Sequence, residues 1–215
     1  MRTILKFIFH HFYRGFAWTY DFVATLVSVG RWQDWRRTVL PYIRGSQVLE
    51  VGFGTGHLHV ELLNRGFKTF GLDESPQMVG IAKKNILKNS LYPGLTLGYA
   101  QSLPFAAQSF DSVVATFPSE YIMDKFSLAE FFRVLKFSGR LIVVPIAWIG
   151  GSSMPDRTAR WLFRITGQTT EDKKSLEQKF NSILGQAGFQ VQITTEQLRD
   201  SLVMIILAEK PTGPE

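Results

Sequence analysis

From residue 47 onward the chain alternates short apolar runs with amphipathic stretches. The run 47–51 ends in glycines and reads as a buried strand. A helix over 57–65 follows, stopped by Gly66, then a second strand over 68–73. Pro76 opens a second helix over 76–89. Weaker apolar character at 95–99 predicts a third strand, and the β-branched stretch 112–116 a fourth. Residues 128–135 have helical spacing, Gly139 turns the chain, and 140–146 is a fifth, strongly apolar strand. Beyond a glycine-rich loop at 149–153, helical segments are expected near 155–165 and 173–187. Residues 189–194 and 201–209 read as an antiparallel pair. Repeated strand–helix units predict an α/β, Rossmann-like, doubly wound, mostly parallel sheet of seven strands with an antiparallel C-terminal hairpin strand. The first 45 residues read as an N-terminal helical cap, and 46–210 as the main unit.

Two hundred and fifteen residues with 45% hydrophobic and 20% charged positions fit one ordinary domain and exclude a disordered chain or a repeat array. The absence of cysteine removes disulfides, thiolate metal sites and a thiol nucleophile, and fits a reducing, cytoplasmic compartment. The net charge of +6 is concentrated in residues 1–47, which hold seven basic groups against two acidic. That segment is also crowded with aromatics, among them Phe9, Phe12, Tyr13, Phe16, Trp18, Tyr20, Trp32 and Trp35. Lys6, Arg14 and Asp21 interrupt any span long enough to cross a membrane. Helices packed on the main domain account for the pattern, and a basic aromatic face over residues 1–20 also suits peripheral contact with an anionic membrane.

Candidate chemistry sits in Glu50-Val51-Gly52-Phe53-Gly54-Thr55-Gly56. Glycines at a strand end let the backbone turn and approach a ligand, while the following helix turns its first amides into the crevice. Asp73 ends the next strand, where a carboxylate accepts both hydroxyl hydrogens of a ribose. The G-x-G-x-G spacing differs from the dinucleotide fingerprint, and Glu50 repels a pyrophosphate. A ligand carrying an ammonium and a sulfonium suits it.

On these residues the chain resembles the class I S-adenosylmethionine-dependent methyltransferases over 47 to about 147. Val48 to Gly56 is similar to their first motif, and Gly71 to Met78 to their second. Ser102-Leu103-Pro104-Phe105 with Ser109-Phe110-Asp111 resembles the approach to the fourth strand, and Arg133 to Arg140 the turn into the fifth. Tyr20-Asp21, Leu26 to Gly30 and Trp32 to Arg37 resemble the cap of the ubiquinone and menaquinone biosynthesis methyltransferases. The resemblance implies S-adenosylmethionine as cofactor, S-adenosylhomocysteine as product, and Met78 against adenine. It extends the cofactor contacts to Tyr20, Glu74, Gln101, Ser102, Thr116 and Phe117. Tyr99 stands where such enzymes often carry an acid, so Gln101 or backbone falls to the adenine amine. Phe117-Pro118-Ser119-Glu120-Tyr121 departs from the quinone enzymes.

Methyl transfer needs orientation and exclusion of water rather than a metal. A phenolic or enolic acceptor gains from a general base, for which His10, His11, Tyr13, Glu120 and Tyr121 are the candidates. His57 is expected to support the glycine loop, and His57 and His59, two apart, do not form a metal pair. The expected acceptor is small and apolar, quinone-, phenol- or lipid-like, with no nucleic acid partner. The alternatives are an RNA or protein methyltransferase and a non-catalytic cofactor-binding module.

Overall fold

Along each central strand, alternate side chains enter two separate cores. Leu49, Val113, Ala115, Leu141, Val143, Met204 and Ile206 face one side, while Val48, Val114, Ile142, Val144, Val203 and Ile205 face the other. Period-two alternation with both faces apolar is what a sheet covered by helices on both sides requires. The computed structural model describes residues 31–149 and 172–213. His11, Tyr13 and Tyr20, the helix expected near 155–165 and most of the anticipated cap lie outside them.

The strands are β1 (Gln47–Val51), β2 (Lys68–Asp73), β3 (Leu95–Leu97), β4 (Phe110–Thr116), β5 (Leu135–Val144), β6 (Ala147–Ile149), β7 (Gln190–Leu198) and β8 (Ser201–Glu209). They run in the order β3-β2-β1-β4-β5-β8-β6, with β7 also paired to β8. β1 to β5 are mutually parallel, and β8 runs antiparallel to β5, β6 and β7. The expected mostly parallel sheet with an antiparallel C-terminal strand is present, with eight strands among the described residues where seven were anticipated. β6 continues β5 along the same edge of β8: Val143 faces Ile206 and Ala147 faces Val203, a one-residue shift taken up at Pro145–Ile146.

The helices are α1 (Trp32–Arg37), α2 (His57–Asn64), α3 (Pro76–Lys88), α4 (Lys125–Val134) and α5 (Lys173–Gln186). Leu176, Phe180 and Leu184 of α5 join Leu128 and Phe131 of α4 in the first core. Trp35 of α1 and Leu58 and Leu62 of α2 fill the second. Each such fully buried side chain contributes about 1.5–3 kcal/mol. Ser75 caps α3 by accepting from Met78 N at 3.4 Å, with Pro76 in the first turn, and Asp124 caps α4 through Phe126 N and Ser127 N at 3.0 Å each. At the far end of α4, the buried Lys210 Nζ donates to Phe132 O at 2.7 Å and Leu135 O at 2.8 Å. No helix among the described residues is long and apolar enough to cross a membrane.

Candidate cofactor site

The parallel strands deliver Val51, Asp73 and Thr116 to one edge of the sheet, with the glycine loop between β1 and α2. Gly54 (φ +55°) and Gly56 (φ +80°) are both left-handed, for different reasons. A Cβ on Gly56 would lie 2.8 Å from Ala82 Cβ and 3.1 Å from its Cα, so this glycine lets α2 and α3 approach. A Cβ on Gly54 would meet nothing within 4 Å among the described residues. That glycine borders open space. Asn85 Nδ2 donates to Thr55 O at 2.9 Å and ties the loop to α3.

Asp73 is buried, and its two oxygens accept from Gly54 N and Ser75 N at 2.9 Å each. Burial pushes this carboxyl above the usual aspartate range. The two backbone donors pull the other way, and the Glu74 and Glu50 charges add to the rise. Each oxygen keeps a second lone pair for a ribose hydroxyl.

Glu50, 2% exposed, meets His59 of α2, which is 0% exposed, with Oε2 3.1 Å from Nδ1. His57 is exposed, and His59 is the one buried behind the glycine loop.

Tyr121 lies in the 3-10 turn Glu120–Met123 after β4, and its hydroxyl donates to Val51 O at 3.0 Å. The same oxygen would stand 2.8 Å from a Cβ on Gly52. Burial, then the charges of Asp73, Glu50 and Glu74, push its phenol far above the tyrosine range. Tyr121 therefore keeps its proton and donates, which removes it as a general base. Glu120, beside it in sequence, is exposed.

Phe117 follows β4 with φ +50°, its N–H donating to Val144 O at 2.7 Å. Trp32 stacks on it with ring centroids 4.2 Å apart, and Trp35 lies 6.0 Å away. α1 thus brings the end of the N-terminal segment to the end of β4. Thr116 is half-buried at the strand terminus, and Glu74 is exposed. Met78, expected against adenine, is buried with Ala82 and Ile86 on the inner face of α3. Gln101 and Ser102 are exposed. The segment they begin is held by α4: Glu130 accepts from Leu103 N at 2.6 Å, while Arg133 donates to Leu103 O and Phe105 O at 3.0 and 2.8 Å. The Arg133 hydrogen bond keeps the Glu130 carboxyl below its usual range.

Sequence reasoning missed His59 and the anchoring by Glu130 and Arg133. A signal existed for the first: a strand, a glycine turn and a returning helix bring positions 50 and 59 face to face.

The fold and this edge define a class I nucleoside-binding domain. Residues 49–143 match the family model for a methyltransferase domain. The ubiquinone/menaquinone biosynthesis C-methyltransferase UbiE of Geotalea daltonii is 31% identical over 134 residues, covering 58% of this chain and 57% of that protein. The demethylmenaquinone methyltransferase of Chlorobaculum parvum is 35% identical over 137 residues, covering 59% and 54%. The chain thus spans a little over half the length of these curated relatives. A crystal structure of a SAM-dependent methyltransferase from Methanosarcina mazei shares the fold, with a TM-score of 0.58 at 20% identity over 81% of this chain and 98% of that one.

The cofactor implied is S-adenosylmethionine, and the residues fit it. The glycine turn leaves space at Gly54, the buried Asp73 accepts from Gly54 N, the buried Glu50 precedes the turn, and among the described residues no lysine or arginine pairs with either acid to invite a pyrophosphate.

Proposed function

We propose that the protein transfers a methyl group from S-adenosylmethionine to a small apolar acceptor of quinol, phenol or lipid type. The observation that carries the cofactor half is the pair of buried acids, Glu50 and Asp73, flanking a glycine turn with open space over Gly54. The acceptor half is supported by likeness to quinone-biosynthesis methyltransferases and by the aromatic pair Phe117 and Trp32 at the end of β4.

When bound, the cofactor supplies an electrophilic methyl carbon on a sulfonium. Asp73 accepts the ribose hydroxyls and Glu50 offers its charge to the amino-acid end. Glu74, Gln101, Ser102, Thr116 and Met78 are assigned to the nucleoside side. Tyr121, holding its proton, donates at the mouth of the loop and positions rather than deprotonates. Phe117 and Trp32 present ring faces to an apolar acceptor and exclude water there. The acceptor's own proton is left to the N-terminal arm, where His11 and Tyr13 are the candidates, or to Glu120, with Tyr20 closing over the cofactor. The basic residues Arg2, Lys6 and Arg14 suit an anionic membrane from which such an acceptor is drawn.

Calorimetry with S-adenosylhomocysteine and NAD, followed by methyl transfer to quinols, phenols, phospholipids, RNA and protein, tests this reading. Binding of S-adenosylhomocysteine but not NAD, with label entering a quinol, phenol or lipid, is expected. Label in RNA or protein overturns the acceptor, and binding without transfer points to the non-catalytic module. Removing residues 1–18 should abolish turnover while leaving cofactor binding weakened less. Full turnover in the truncated chain refutes the arm's role. Vesicle co-sedimentation that salt reverses tests the membrane contact.

A further inference from the structure

His59 is fully buried, yet only one of its ring nitrogens has a partner among the described residues. Nδ1 meets Glu50 Oε2 at 3.1 Å, and Nε2 meets no acceptor or donor. Because an ionised carboxylate only accepts, Nδ1 must carry the hydrogen of this contact. A second hydrogen on Nε2 would be a buried donor with nothing to receive it. The arrangement therefore favours a neutral ring donating forward to Glu50, with its bare lone pair behind. The back of the ring is enclosed: the Phe53 ring centroid is 6.1 Å away, and His59 Cε1 stands 3.0 Å from where a Cβ on Gly71 would be.

A neutral donor holds a carboxylate in place without cancelling its charge. Lys or Arg at position 59 would also orient Glu50, and would neutralise it. The second oxygen of Glu50 accepts no hydrogen bond among the described residues. Glu50 is the penultimate residue of β1, two positions before Gly52, which sets it at the root of the glycine loop. We infer that His59 is a positioning residue for cofactor binding: it holds Glu50 by one oxygen, without cancelling the carboxylate charge, and leaves the other oxygen for the ammonium at the amino-acid end of S-adenosylmethionine. This rests on the cofactor assignment above. It adds why a histidine occupies a buried, otherwise apolar helix position.

Two ligands separate this role from a structural one. S-adenosylhomocysteine carries the ammonium, and 5′-methylthioadenosine shares the nucleoside and lacks it. Asparagine keeps an amide donor at the position of Nδ1, whereas glutamine moves it out to that of Nε2. Titration calorimetry of the parent chain, His59→Asn, His59→Gln and Glu50→Gln with both ligands is the experiment. His59→Gln and Glu50→Gln should weaken S-adenosylhomocysteine by about tenfold or more, and His59→Asn should stay within about threefold of the parent. Affinity for 5′-methylthioadenosine should be the same in all four. If the two ligands weaken together, His59 merely props the loop and the inference falls. It falls equally if His59→Gln binds S-adenosylhomocysteine as the parent does, or if asparagine rescues no better than glutamine. A parent chain that binds neither ligand instead overturns the cofactor assignment itself.

Discussion

The two left-handed glycines of the loop offer a matched experiment in which backbone strain is shared and only the surroundings differ. Alanine at either position adopts a positive φ that disfavours an L-residue by about 1–2 kcal/mol. At Gly54 nothing further is added, because no described residue stands within 4 Å of the new methyl. At Gly56 the methyl arrives 2.8 Å from Ala82 Cβ and 3.1 Å from its Cα, and the second of these is helix backbone with little room to give. Overpacking of that kind adds about 1–3 kcal/mol. Gly56→Ala should therefore lose about 2–5 kcal/mol in all, and Gly54→Ala about 1–2 kcal/mol. Urea titration with fluorescence detection resolves the two, since about 2 kcal/mol moves the midpoint by roughly 1 M. Ligand binding should rank them the other way. The Gly54 methyl occupies space needed by the cofactor, so S-adenosylhomocysteine affinity should fall about tenfold or more in Gly54→Ala. Folded Gly56→Ala should bind nearly as well as the parent. Equal shifts in urea midpoint, or a Gly54→Ala chain with parental affinity, would refute the division of labour.

Asp73→Ala should weaken S-adenosylhomocysteine by about 1.5–3 kcal/mol through lost charge-assisted hydrogen bonds; parental affinity in a folded variant would mean the ribose lies elsewhere. Because burial raises the Asp73 pKa, between the unfolded and folded values the folded carboxyl holds a proton that the unfolded chain has already released. Its ionisation therefore erodes stability as pH rises from the unfolded value, about 3.9, through the raised folded one. Ribose hydroxyls need the ionised form, so affinity should decline on acidification at a higher pH than an ordinary aspartate would give. Asp73→Asn should flatten that profile, and an unchanged profile in calorimetry across pH refutes the assignment. Lys210→Met should destabilise the fold by about 2–3 kcal/mol, because Phe132 O and Leu135 O lose their buried ammonium donor. A urea midpoint equal to the parent's would mean that those carbonyls find water instead.

The glycine turn and Asp73 were legible because they are local: spacing within one strand–helix–strand unit sets their register. The ends of elements made by distant partners were not. β5 begins at Leu135, five residues before the apolar run, because Phe110 pairs with Leu135 and Ser112 with Arg140, leaving the intervening residues as a bulge. Gly139, read as a turn, sits inside that strand. β6 forms only because β8, more than fifty residues on, offers it an edge. β7 runs to Leu198 although its second half is polar, since full-length pairing with β8 carries it past Thr194. In the site, Tyr121 was found as a residue but not in its role, because the burial that chiefly raises its pKa, and the carboxylates of β1, β2 and the turn after β2 that add to it, are set by the tertiary fold. Met78 sits where helical periodicity puts it, on the buried face of α3.

Phe117 is a non-glycine residue in a left-handed conformation, a state about 1–2 kcal/mol above its alternatives unless something holds it. What touches its ring is Trp32 of α1, across a 4.2 Å stack. The Phe117 N–H bond to Val144 O at 2.7 Å holds the backbone as well, so the stack couples the docking of α1 to Phe117 only by the share of this state it stabilises, and that coupling runs both ways. A ligand at the end of β4 that favours the left-handed Phe117 should tighten the seating of α1 by that coupling free energy, and one that releases Phe117 should loosen it by as much. Replacing Trp32 would then register at the far side of this contact, in the affinity of whatever rests on Phe117, even for a ligand that never reaches the tryptophan.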